Sequence, residues 1–131
     1  MSNQAQPPKP ARKRILVVED DAAISRMLLK VLGTRYAVEH AADGNHAIAL
    51  ASKLPPHLIM LDVMMPGLDG FATAKQLKAL PTLRAVPIIF LTAKTAPTDV
   101  VKGIQAGARH YLTKPFKVED LLAKVKKTIG E

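Results

Sequence analysis

A chain of 131 residues with 48% hydrophobic side chains and no cysteine has the length and apolar content of one globular domain with a real core. It excludes disulfide frameworks, zinc fingers and thiolate metal sites. Its longest apolar stretch, Val86 to Leu91, is far shorter than the roughly 20 residues a membrane helix needs, which predicts a cytoplasmic protein with no membrane partner. Of the net charge of +8, Lys9, Arg12, Lys13 and Arg14 supply half with no acid among them, while residues 15–131 carry 15 basic and 11 acidic side chains.

Residues 1–13, with Gln6-Pro7-Pro8-Lys9-Pro10 at their centre, cannot bury apolar area. They read as a flexible, basic, Pro-rich tail before a domain at 14–131. Weak contact of this tail with acidic surfaces is the one nucleic-acid reading the charge supports.

From Arg14 strand and helix signals alternate. Ile15-Leu16-Val17-Val18 is an apolar, β-branched run that ends in Glu19-Asp20-Asp21. Ile24, Met27, Leu28, Val31 and Leu32 then follow helical spacing, with Asp21 as cap and Gly33 as stop. Tyr36 to Ala41 alternates as a second strand. A helix with Ala47, Leu50, Ala51 and Leu54 on one face follows Asp43-Gly44 and stops at Pro55-Pro56.

The third strand begins at Leu58 and runs into Leu61-Asp62, and Pro66-Gly67 turns the chain. Beyond Asp69-Gly70 a helix carries Phe71, Ala74 and Leu77 to Pro81, and Ile88-Ile89-Phe90-Leu91 forms a fourth strand ending in Thr92-Ala93-Lys94. Pro97 opens a fourth helix with Val100, Val101 and Ile104, closed by Gly107. Gly103 inside it costs roughly 1 kcal/mol against Ala, which makes this the helix expected to move. Tyr111-Leu112-Thr113 is a short fifth strand before Lys114-Pro115-Phe116. The last helix turns Val118, Leu121, Leu122, Val125 and Ile129 inward and its lysines outward. His40, His46, His57 and His110 show no ligand spacing and read as surface or loop residues.

Strict alternation predicts an α/β fold with a parallel sheet covered on both faces. In such a sheet functional groups gather at the carboxyl ends of the strands. Those ends carry Glu19 and Asp20, Asp62, Thr92 and Lys114. Crowded carboxylates repel unless a cation neutralises them, and oxygen ligands alone describe magnesium, with manganese as a substitute. Asp62 is then the nucleophile for a phosphoryl group, with Lys114 and Thr92 contacting the phosphoryl oxygens.

The motifs Ile-Leu-Val-Val-Glu-Asp-Asp, Leu-Asp-Val-Met-Met-Pro-Gly-Leu-Asp-Gly, Phe-Leu-Thr-Ala-Lys and Tyr-Leu-Thr-Lys-Pro-Phe occur in this order. On them the chain resembles the receiver domain of two-component response regulators over about residues 14–130. The resemblance implies a flavodoxin-like, doubly wound sheet of five parallel strands in order 2-1-3-4-5 with five helices. It implies Asp62 as phosphoacceptor, Glu19 and Asp20 as metal carboxylates, and the Met64 backbone carbonyl as a further metal ligand. Thr92 and Lys114 match the switch hydroxyl and phosphate-binding lysine, Tyr111 the switch aromatic, and Pro115 a cis peptide. Met64 and Lys94 flank the phosphoryl group and tune its lifetime; an apolar Met64 predicts slow loss.

The implied partners are a sensor histidine kinase or phosphotransfer protein and a downstream protein on the face of the fourth helix, fifth strand and fifth helix. A phosphorylation-dependent homodimer is a further implied association. A phosphatase of the haloacid dehalogenase type would need a second Asp two residues after the nucleophile, where this chain has Met64. The chain therefore reads as a phospho-switch and not as a turnover enzyme.

Overall fold

The apolar runs become five parallel strands in the computed structural model, which describes residues 12–65, 67–93 and 97–131, the side chains of 97–100 excepted. In chain order these elements are β1 (Arg14–Val18), α1 (Ala22–Leu32), β2 (Ala37–Ala41), α2 (Gly44–Lys53) and β3 (Leu58–Asp62). They continue with α3 (Gly70–Ala79), β4 (Ile88–Thr92), α4 (Pro97–Gln105), β5 (Ala108–Thr113) and α5 (Val118–Ile129). The sheet order is β2-β1-β3-β4-β5, as expected. The tail to residue 11, Pro66 and Lys94 lie outside the described residues.

The period of two along each strand builds a core on either face of the sheet. Leu16 and Val18 of β1, Ile59 and Leu61 of β3, and Ile88 and Phe90 of β4 meet Ala47 and Ala51 of α2 and Ala74 and Leu77 of α3. Ile15, Val17, Leu58, Met60, Ile89 and Leu91 point the other way, against Leu28 and Leu32 of α1 and Leu121 and Val125 of α5. Between their polar end residues the central strands β1, β3 and β4 are therefore apolar, which is why they show no polar alternation.

Three helices start on an aspartate whose carboxylate accepts a backbone N–H from the first turn. The pairs are Asp21 with Ile24 at 3.0 Å, Asp43 with His46 at 2.8 Å and Asp69 with Ala72 at 2.8 Å. Each cap satisfies a donor that the helix cannot, and each is worth about 1 kcal/mol. None of the helices among the described residues is long and apolar enough to cross a membrane.

Several expectations change in the folded chain. Leu54 does not join the covered face of α2: it is 52% exposed, in extended backbone at the C-cap, because the following proline disfavours the helical conformation there. Val118 is 39% exposed in the first turn of α5, and Val101 and Ile104 of α4 are more than half exposed, whereas Gly103 of α4 and Ala106 just beyond it are buried; the side chain of Val100 lies outside the described residues. Gly33 caps α1 with ordinary right-handed angles, whereas Gly107 is left-handed (φ 96°), the common glycine helix stop. β5 begins at Ala108, earlier than the apolar pattern suggested, with a register shift opposite Ile88 and Ile89.

The histidines are also corrected in part. His40 lies in β2 and His110 in β5, both half-buried, and His57 Nδ1 accepts the Arg14 N–H at 2.9 Å. Burial, with neighbouring cationic side chains, lowers the pKa of His57 and of His110.

Candidate functional site

Strand order reverses between β1 and β3, so α1 and α3 leave toward opposite faces and a crevice opens at the carboxyl ends of these strands. Glu19 and Asp20 directly follow β1, Asp62 ends β3, Thr92 ends β4 and Lys114 follows β5. Carboxylate oxygens of Glu19, Asp20 and Asp62 lie within 4.8 Å of one another. Lys114 Nζ is 2.7 Å from Glu19 Oε1 and 3.4 Å from Asp62 Oδ1.

Backbone bonds beyond the strand ends hold this rim in place. The Glu19 N–H donates to the Ala41 carbonyl at 3.1 Å, Val63 to Leu91 at 3.1 Å and Lys114 to Thr92 at 2.9 Å. Glu19 is fully buried, with Oε2 accepting the Asp21 N–H at 3.2 Å while Oε1 meets Lys114. Its longer side chain therefore reaches the lysine directly. Asp62 is 3% exposed and Thr92 1%, whereas Asp20 is open to solvent. Asp62 Oδ1 also accepts the Met64 N–H at 3.2 Å, and the Met64 side chain is 56% exposed at the rim. The Lys114–Pro115 peptide is cis.

Two residues that sequence reasoning passed over support the site. Gly70 marked only the approach to a helix, yet a Cβ there would stand 2.3 Å from the Asp62 carbonyl oxygen and 2.7 Å from Val63 Cα. Its N–H donates to the Val63 carbonyl at 3.1 Å, so the missing side chain lets the start of α3 press on the end of β3. His40 Nε2 lies 2.7 Å from the Glu19 carbonyl oxygen. The signal that points to it is register: His40 pairs with Val17, two residues before Glu19.

The electrostatics follow from burial. Burial, then the hydrogen bond and charge of Glu19, push the Asp62 carboxyl up to about 7, with Lys114 and the Met64 N–H opposing. Burial alone would lower the Lys114 ammonium, but its bond to Glu19 and the charge of Asp62 outweigh that and leave it raised. Three acids around one ammonium leave excess negative charge in a crevice where two of the acids are buried. An all-oxygen donor set of this kind suits a hard divalent cation.

Tyr111 and Lys94 complete the expected set. The Tyr111 ring, half-buried, lies 5.6 Å from Phe90, which packs edge-on against Phe71 at 5.2 Å. It is thus turned toward the core on the α3 and α4 side of the sheet. Lys94 lies outside the described residues.

The family model of the response regulator receiver domain matches residues 15–126. The DNA-binding response regulator MtrA of Mycobacterium tuberculosis is 43% identical over 116 residues, 88% of this chain and 50% of that protein. The response regulator PleD of Caulobacter vibrioides is 43% identical over 114 residues, 86% of this chain and 25% of that protein. The chain thus spans about half the length, or less, of these curated relatives.

Among solved structures, chemotaxis protein CheY4 of Vibrio cholerae superposes with a TM-score of 0.87 at 35% identity, covering 90% of this chain and 99% of that one. The receiver domain of sensor histidine kinase PA1611 from Pseudomonas aeruginosa, solved with a magnesium ion in its active-site cleft, gives 0.81 at 35%, covering 92% and 100%. Phosphorylation on aspartate and magnesium binding are typical of the family. With the predicted sheet order, the acidic crevice and the matched motifs together, the chain belongs to the receiver domains of two-component response regulators.

Proposed function

We propose that Asp62 is the phosphoacceptor of a receiver spanning residues 14–131, charged by the phosphohistidine of a partner kinase or phosphotransfer protein. The observation that carries this is the buried Asp62 carboxylate ending β3, with Glu19, Asp20 and Lys114 converging on it. A carboxylate oxygen of Asp62 attacks phosphorus, the P–N bond to the histidine breaks, and the imidazole leaves with the bonding electron pair. Little acid-base chemistry is needed; alignment and charge neutralisation are.

Glu19, Asp20, Asp62 and the Met64 carbonyl would hold the Mg2+, for which Mn2+ is a chemical substitute at oxygen ligands. Bound there, the cation supplies neutralisation of the developing phosphoryl charge. Lys114, placed between two carboxylates 2.7 Å and 3.4 Å away, transfers its hydrogen bonding to a phosphoryl oxygen. Thr92 at the end of β4 donates from its hydroxyl to another, and Tyr111 answers that shift. Met64, with no polar atom on its side chain to orient water, and Lys94 set the lifetime of the acyl phosphate, which is long.

The output is a population shift of the α4-β5-α5 face that changes affinity for a downstream protein or a second copy of the chain. Incubation with Mg2+ and acetyl phosphate, followed by intact-mass measurement, tests the assignment. One phosphoryl mass is gained by the wild type and none by Asp62→Asn; a gain that survives the substitution overturns it.

A further inference from the structure

Gly103 is costly where it stands: a glycine inside a helix loses more chain entropy on folding than any other residue. It is nevertheless buried, while Val101 and Ile104 of the same helix are 51% and 64% exposed. The space beneath it is filled by another residue. A Cβ at Gly103 would stand 1.2 Å from Tyr111 Oη, 2.2 Å from Cζ and 3.0 Å from Cε1. Ordinary carbon contacts sit at about 3.5–4.0 Å, so two ring atoms and the hydroxyl of one side chain occupy the volume that a side chain at position 103 would claim.

Yielding at the tip cannot relieve this. The clash reaches into the ring, and the ring is packed against Phe90 at 5.6 Å, which in turn meets Phe71 at 5.2 Å. Either Tyr111 leaves its inward position or α4 lifts from β5. The Tyr111 position and the seating of α4 are therefore one variable, and residue 103 decides which value it takes.

We propose that Gly103 is a positioning residue for the switch: the absence of a side chain there is the seat that admits the Tyr111 ring beneath α4 and makes the inward state possible. This rests on the reading of Tyr111 as the switch aromatic. It adds that the state with the ring inward and α4 seated over it is lost with any residue larger than glycine at 103, while Asp62 keeps its chemistry. In a chain whose α4 carries exposed Val101 and Ile104, the same seat links the ring to the outward presentation of those side chains.

The chain has two tyrosines and no tryptophan, so in a Tyr36→Phe background the tyrosine emission comes from Tyr111 alone. Adding Gly103→Ala to that background is expected to raise the acrylamide quenching constant of this emission at least twofold. Equal quenching with and without the substitution overturns the proposal. Urea melts give a second readout of opposite signs. Gly103→Ala lowers the midpoint beside Tyr111 and beside Tyr111→Phe, whose ring still clashes, but raises it beside Tyr111→Ala, where only the better helix propensity of alanine remains. A midpoint that falls equally in all three backgrounds overturns the seat.

Intact mass after Mg2+ and acetyl phosphate separates this from the underlying assignment. A Gly103→Ala chain that still gains one phosphoryl mass, yet shows no phosphodonor-dependent change in Tyr111 quenching, supports the seat as part of the switch. Tyr111 quenching that ignores the phosphodonor in the Gly103 protein, despite full phosphorylation, overturns its switch role.

Discussion

Lys114 Nζ stands 2.7 Å from Glu19 Oε1 but 3.4 Å from Asp62 Oδ1, so the lysine is docked on the carboxylate after β1 and only leans on the proposed phosphoacceptor. Glu19 is fully buried, and among the described residues no other cationic side chain pairs with it. Removing one partner of a buried pair leaves an uncompensated charge, a loss of roughly 3 kcal/mol or more. Lys114→Met is expected to lower stability by about that amount in metal-free buffer, with most of the loss recovered in millimolar Mg2+. Urea melts with and without the cation check this.

Asp62 is expected to cost the metal-free fold stability. Its carboxyl is raised to about 7, first by burial and then by Glu19, against about 3.9 in an unfolded chain. The fold therefore favours the protonated form: its contribution is whole below pH 4 and is lost as pH rises through 7. Asp62→Asn should accordingly stabilise the metal-free protein by roughly 1–3 kcal/mol at pH 8 and by much less at pH 5. Melts of both proteins at the two pH values read the difference; an equal gain at both would refute the argument.

Gly70→Ala places a Cβ 2.3 Å from the Asp62 carbonyl oxygen and 2.7 Å from Val63 Cα. Both are backbone atoms of the turn that carries Asp62, so the strain displaces the site itself. A loss of about 1–3 kcal/mol is expected from overpacking, together with slower capture of phosphate from acetyl phosphate. A variant as stable and as reactive as wild type would show that the turn yields freely.

Far from the crevice, Tyr36 is 2% exposed and donates from Oη to Glu131 Oε1 at 2.8 Å. Burial, then Glu131, raise its phenol to about 12. Here the neutral form is the favoured one, so its contribution is complete below pH 10 and falls as pH climbs toward 12. Between pH 9 and 11.5 wild type should lose about 1–2 kcal/mol more than Tyr36→Phe. Parallel denaturant melts of the pair isolate this from the other groups that titrate in that range.

Much of the site was legible because its chemistry sits at strand ends, and strand ends are written in local pattern. Apolar runs that stop at Glu19, Asp62 and Thr92 mark where a parallel sheet presents its functional edge. The capping role of Asp21 was equally local, since the cap and the N–H it accepts are three residues apart. Leu54 was misread because its helical spacing is intact and only the proline after it removes it from the face. His40 was misread because its partner, the Glu19 carbonyl, is 21 positions away along the chain.

By itself, then, the sequence determined the order of elements, the parallel α/β class and the residue types at the strand ends, because periodicity, caps and turns act over a few residues. Only the tertiary structure decided that Lys114 docks first on Glu19, 95 positions away. It likewise decided that Gly70 makes room for the Asp62 backbone and that Gly103 makes room for the Tyr111 ring. Those are exclusions of volume and balances of buried charge between distant segments, and neither leaves a local pattern to read.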